Sequence, residues 1–203
     1  MPARTIDISE AELESAIEPR IFLPNVSWEQ YESMLLAVGK RPRLRLTYLE
    51  DALEIMTISQ QHELIKTIIA RLLYVYADEM EIDLFSCGSA TFKNADTDRG
   101  LEPDESFCID RRQDVPDVAI EVILTSGGID KLVVYKGLNV PEVWFWQDDR
   151  FSLYRLREDR SSYDPVSESG FFPQLDFTLL ARYVTPEAEP QAIRDFRKAV
   201  RLQ

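Results

Sequence analysis

The sequence predicts an α/β or α+β domain, a mixed central sheet flanked by helices, on three observations. Over residues 60–80 the apolar positions recur with a period of 3.6, so that Leu64, Ile65, Ile68, Leu72, Leu73 and Tyr76 form one stripe of a core helix. Leu44, Leu46 and Tyr48, and then Leu53 and Ile55, instead alternate with polar residues, the period of a strand. A helical run at about 129–138 separates the apolar strand 117–124 from the strand that Pro141 opens, as in a crossover connection.

Taken in order, Ser9 with Glu12 three residues on forms a capping-box pattern for a short helix over 9–17, which Pro19 ends. Ser27 caps the next helix, SWEQYESMLLAV, in which Trp28, Tyr31, Met34, Leu35 and Val38 share a face and Gly39 provides the stop. The alternating runs on either side of Glu50-Asp51 predict a hairpin, although its turn lacks Gly or Asn. The long helix follows, with His62 and Glu63 in its first turn. Strand-like runs at 82–87 and 90–93 lead into a polar loop, NADTDRGLE, without periodicity. A strand begins near Pro103, and DRRQDVP separates it from 117–124. TSGG turns into the crossover helix, with Ser126 as candidate cap. PEVWFWQ and RFSLYRL form a second hairpin, and Pro165 and Pro173 interrupt the tail.

At 203 residues the chain suffices for one well-filled core. We divide it into an N-terminal helical extension (1–26), a main domain (27–183) and a C-terminal helix (184–203). The formal charge of -13 repels phosphate at long range, so any nucleic-acid contact must come from local basic patches. Lys40, Arg41, Arg43 and Arg45 form one such patch, and Arg194, Arg197, Lys198 and Arg201 fall on one face of the last helix. Cys87 and Cys108 make no disulfide framework, and a single histidine leaves no zinc site of the usual Cys/His kind. These features, with no secretory leader and no membrane span, predict a cytoplasmic protein.

The chemistry concentrates in residues 100–136. Glu121 sits inside the apolar run DVAIEVIL, where an unpaired carboxylate costs several kcal/mol to bury. Alternation puts Val118, Ile120, Val122 and Leu124 on one face, and Asp117, Ala119, Glu121 and Ile123 on the other. Two partners satisfy Glu121 equally well at this level: a divalent cation shared with Asp104 of the Pro103-Asp104 step, or the ammonium of Lys131. Two carboxylates and a lysine around magnesium or manganese are a minimal set for phosphodiester hydrolysis.

Three stretches in this order, RLTYLEDALEIMTISQQHELIK, GSATFKNADTDRGLEPDESF and PDVAIEVILTSGGIDKLVVYKGLNVPEVWFW, resemble the Uma-two endonuclease family of the PD-(D/E)xK superfamily. The resemblance spans roughly residues 20–180. It implies a restriction endonuclease-like fold, a Mg2+- or Mn2+-dependent endonuclease, DNA as substrate and a homodimer. Asp104 then matches the motif aspartate, Glu121 the acidic residue of the next core strand, and Glu63 the carboxylate of the first core helix. Where the superfamily motif places lysine, two residues after Glu121, this chain has Ile123, and Lys131 on the following helix matches the displaced lysine. Lys40, Arg41 and Arg43 are the DNA-binding candidates.

Each residue also has a structural reading. Aspartate after proline serves turns, Glu63 suits a helix N-terminus, and Lys131 suits a helix surface. His62 reads as a base, a phosphate donor or a surface residue. Trp144 and Trp146 read as sheet packing. The alternative of another class is a catalytically inactive nuclease-like fold acting as an acidic protein-interaction or regulatory module. A hydrolase of small phosphoesters is a third.

Overall fold

In the computed structural model, residues 18–39, 41 and 43–202 are described. The helix expected at 9–17 and Lys40 lie outside them. Strand β1 (Arg20–Pro24), absent from the sequence reading, is followed by α1 (Trp28–Val38). Ser27 caps α1 as expected: the Gln30 N–H donates to its hydroxyl, and the Gln30 side chain accepts from the Ser27 N–H at 2.8 Å.

Strands β2 (Leu44–Leu49) and β3 (Ala52–Thr57) form the predicted hairpin. Glu50 and Asp51 make its turn with φ of 41° and 61°, so two acidic residues take the positive-φ geometry that Asn-Gly usually supplies. Helix α2 (Gln60–Glu79) buries Ile65, Ile68, Leu72, Leu73 and Tyr76 of the predicted apolar stripe, whereas Leu64 turns to solvent. Strands β4 (Leu84–Ser86), β5 (Phe92–Asn94), β6 (Arg99–Leu101), β7 (Glu105–Ile109) and β8 (Val118–Val122) precede α3 (Lys131–Leu138). Strands β9 (Glu142–Gln147), β10 (Arg150–Leu156) and β11 (Tyr163–Val166), then α4 (Phe177–Arg182) and α5 (Glu189–Val200), complete the chain.

The α/β class and the helix-flanked mixed sheet stand, but the strands divide into two sheets. One runs β1-β3-β2-β6-β5, and the other β11-β10-β9-β8-β7-β4, in which only β8 and β9 pair in parallel. The polar loop supplies β6, which pairs with β2 through Tyr48↔Gly100. A Cβ at Gly100 would collide with the Tyr31 ring, itself stacked on Tyr48 at 4.7 Å, so this glycine lets α1 close over the sheet.

β8 is covered on both faces, which is why it reads as nearly continuous apolar sequence. Val118, Ile120 and Val122 join the main core with α2, α5 and Trp144. Ala119 faces Val134 and Tyr135 of α3. The predicted alternation therefore places Glu121 on the α3 side. Trp144 and Trp146 are core residues, as expected. No helix among the described residues is long and apolar enough to cross a membrane.

Candidate active site

Glu121 is fully buried, and both of its oxygens are engaged. Lys131 donates to Oε2 at 2.5 Å, and the Tyr135 hydroxyl donates to Oε1. The two donors are four residues apart on α3 and so share one helix face. Asp130, not Ser126, caps α3 by accepting from the Leu132 N–H, which makes Lys131 the first helical residue and brings it over β8. Burial, reinforced by the charge of Asp104, lifts the Glu121 carboxyl to about 7 despite Lys131. Burial also opposes the charge on Lys131, but Glu121 and Asp104 outweigh it and raise the ammonium. The Glu121 side chain has no solvent access, whereas the Lys131 side chain keeps 17 % of its own.

A clamp fixes the loop between Glu121 and Lys131. Arg20 of β1 donates to the carbonyls of Gly127 and, at 2.8 Å, Thr125, and Glu54 of β3 accepts from the Ile129 N–H at 3.0 Å. Gly128, at φ 99°, lies so close that a Cβ would strike Glu54 Oε2 and come within 2.7 Å of Arg20. The first sheet thus holds the loop that leads from β8 to Lys131.

Asp104 lies just before β7, also fully buried. The Val122 N–H donates to its Oδ2 at 2.8 Å, tying it to the end of the Glu121 strand. Its Oδ1 is 2.8 Å from His62 Nε2 and 3.9 Å from Arg45 Nε, yet none of the three atoms has an aligned hydrogen-bond partner. They are close ion contacts without hydrogen-bond directionality. His62 Nδ1 is 2.7 Å from Glu18 Oε1. Burial alone would discharge this imidazole, but the close carboxylates of Asp104 and Glu18 raise it to about 9. Burial alone would likewise raise Asp104, but His62 holds it well below the usual carboxylate range.

Glu63 occupies the first turn of α2, where Arg45 approaches its Oε1 at 3.6 Å and Lys66 its Oε2 at 3.2 Å. A cleft of about 690 Å³ opens beside it, lined by Arg41, Arg45, Lys66, Cys87 and Thr91 among others. Arg41 and Arg43 are exposed, whereas Arg45 is buried among the carboxylates. The second basic patch is largely neutralised, since Arg197 and Arg201 both bind Glu79 at the end of α2. Two site residues lacked a sequence signal of this role: Tyr135, whose position four after Lys131 was the available clue, and His62, whose bridge to Glu18 and Asp104 is tertiary.

The structure thus brings Asp104, Glu121 and Lys131 together and sets Glu63 beyond Arg45. Hard carboxylate oxygens suit magnesium or manganese in kind. Asp104 Oδ1 has no aligned donor, and each Glu121 oxygen accepts one bond, so acceptor capacity remains. In the arrangement described, no three His, Cys, Asp or Glu residues gather at metal-binding spacing among the described residues.

The model of the Uma2 family, described as a putative restriction endonuclease, matches residues 28–182. No curated protein matches the chain.

Proposed function

The chain belongs to the Uma2 family of putative restriction endonucleases, and from that premise we propose a divalent-metal-dependent endonuclease that cuts DNA. The observation that carries the reading is the convergence of two buried carboxylates, Asp104 just before β7 and Glu121 of β8, with Lys131 of α3.

In this reading Asp104 and Glu121 would hold Mg2+ or Mn2+, and Glu63, on the far side of Arg45, would contribute through water. The cation supplies charge neutralisation at the phosphoryl group and lowers the pKa of bound water. Lys131 orients the attacking water or donates to the phosphoryl oxygen, and Tyr135 fixes the Glu121 rotamer. His62 keeps Asp104 ionised, as a hard-cation ligand must be. Arg41 and Lys66 line the cleft beside Glu63 and would give the backbone of a strand local positive contacts, with exposed Arg43 a further candidate, despite the acidic total. Cutting both strands of a duplex calls for two sites, hence a homodimer.

The test is calorimetric titration of Mn2+ into wild type, Asp104→Asn and Glu121→Gln, followed by plasmid nicking with the same samples. Binding and nicking are expected to disappear together in both variants, with circular dichroism unchanged. Nicking that survives in Glu121→Gln would falsify the assignment.

A second reading is favoured by one observation: Lys131 and Tyr135 already occupy both oxygens of Glu121. In that reading the site is a closed ion-pair network in a nuclease-like fold that serves as an acidic interaction module. Absence of metal affinity together with capture of a protein partner by wild type would select it.

A further inference from the structure

Outside this constellation, the two cysteines of the chain come together at the edge of the second sheet. Cys108 is on β7, opposite Phe85 of β4, and Cys87 directly follows β4, its N–H donating to the Ser106 carbonyl at 2.9 Å. The cysteines are therefore diagonal neighbours on adjacent strands, and both are free, with sulfurs 3.2 Å apart. A disulfide needs about 2.0 Å between sulfurs, so roughly 1.2 Å of closure separates the pair from a bond, within reach of small side-chain and strand adjustments. Their exposures differ, so that an oxidant meets one sulfur first. Cys108 is fully buried, while Cys87 is partly exposed and lines the 690 Å³ cleft, where a small oxidant can reach it.

We propose that Cys87 and Cys108 form an oxidation site at which a hydroperoxide converts the two thiols into one intramolecular disulfide. The Cys87 thiolate attacks a peroxide oxygen. An S–O bond forms, the O–O bond breaks, and the leaving oxygen takes the thiol proton, giving a sulfenic acid and, from hydrogen peroxide, water. Cys108 then attacks the Cys87 sulfur, the S–O bond breaks, and the departing hydroxide takes the second thiol proton as another water. Two thiols are oxidised and one peroxide is reduced.

The disulfide would close a loop over residues 88–107, which carries β5, β6 and Asp104. It would staple the edge strand β4 to the strand that Asp104 opens, beside the cleft proposed for DNA. The site has the character of a slow sensor, because burial and Cys108 push the Cys87 thiol up to about 11, with Arg112 opposing and Asp117 adding to the rise. Arg41, Arg45, Lys66 and Glu63 face the same cleft.

The experiment treats the full chain with hydrogen peroxide at mildly alkaline pH, followed by thiol titration and intact-mass and peptide mass spectrometry. The expected result is a fall from two titratable thiols to none, loss of two hydrogen masses, and a Cys87–Cys108 linked peptide that a thiol reductant reverses. In Cys108→Ser the expected product is a Cys87 sulfenic acid trapped by dimedone. Should that variant not fold, the linked peptide from wild type decides the question. Two persisting thiols, a Cys87 sulfinic acid beside a free Cys108, or a disulfide between chains each overturns the proposal. The thiol readout stands whether or not the protein nicks DNA, so failure here is distinguishable from failure of the nuclease reading.

Discussion

His62 is the one histidine of the chain, so its titration is unambiguous. In metal-free protein its imidazolium is held between Asp104 and Glu18, which raises it from 6.5 to about 9. Between those values the folded protein holds one proton more than the unfolded chain. Stability conferred by this group is therefore complete below pH 6.5 and lost as pH rises through 9. Its slope is about 1.4 kcal/mol per pH unit, or about 3 kcal/mol in all. Glu121, raised from 4.5 to about 7, loses its own contribution earlier, and the Cys87 thiol, rising from 9 to about 11, later. Urea unfolding at intervals across roughly pH 7.5 to 9 isolates His62. His62→Gln should abolish the slope and cost about 3 to 5 kcal/mol at neutral pH, because Glu18 and Asp104 lose their buried cation. Proton NMR of the ring should give a midpoint near 9. A midpoint near the ordinary 6.5, or equal slopes in wild type and His62→Gln, refutes the reasoning.

Gly128→Ala places a methyl against Glu54 and Arg20 at a φ of 99°. The expected cost is about 2 to 4 kcal/mol in urea unfolding, and near-neutral behaviour would mean the clamp is not rigid. Glu142 is fully buried and accepts from the Trp144 indole at 2.7 Å and from the Gly170 N–H at 2.9 Å. Glu142→Ala should destabilise by about 3 kcal/mol, and a loss below 1 kcal/mol contradicts that network. Ser27→Ala removes one half of the capping box and should cost about 1 kcal/mol by the same measurement. If the cleft takes DNA, Arg41→Ala should weaken binding uniformly across sequences and reduce the slope of log K against log salt by about 1. An unchanged slope places the DNA elsewhere.

Where local pattern and tertiary packing agree, the sequence already determined the element. Helices α1 and α2 follow from one-sided apolar spacing and a serine cap, and the alternation in β8 put Glu121 opposite the main core. The Pro-Asp step and the intrastrand carboxylate marked Asp104 and Glu121 because a buried charge must find a partner. Lys131, one of the two partners open to Glu121, does reach it, together with the hydroxyl of Tyr135 four residues on.

Other features were decided only in three dimensions. β1 and β6 are short, and each is a strand because a neighbour offers it an edge, β3 for RIFLP and β2 for residues Arg99–Leu101. Those long-range pairings also split the strands into two sheets, which composition and period do not encode. Arg45 sits in a basic run yet points among carboxylates, because the strand period turns its side chain inward beside Glu63 and Asp104. His62 is the clearest case. One histidine in the first turn of a helix has no local signature, and its charge is fixed by Glu18, 44 residues before it, and Asp104, 42 after it. Sequence sets which groups are costly to bury, and only the packed structure chooses which of them meet.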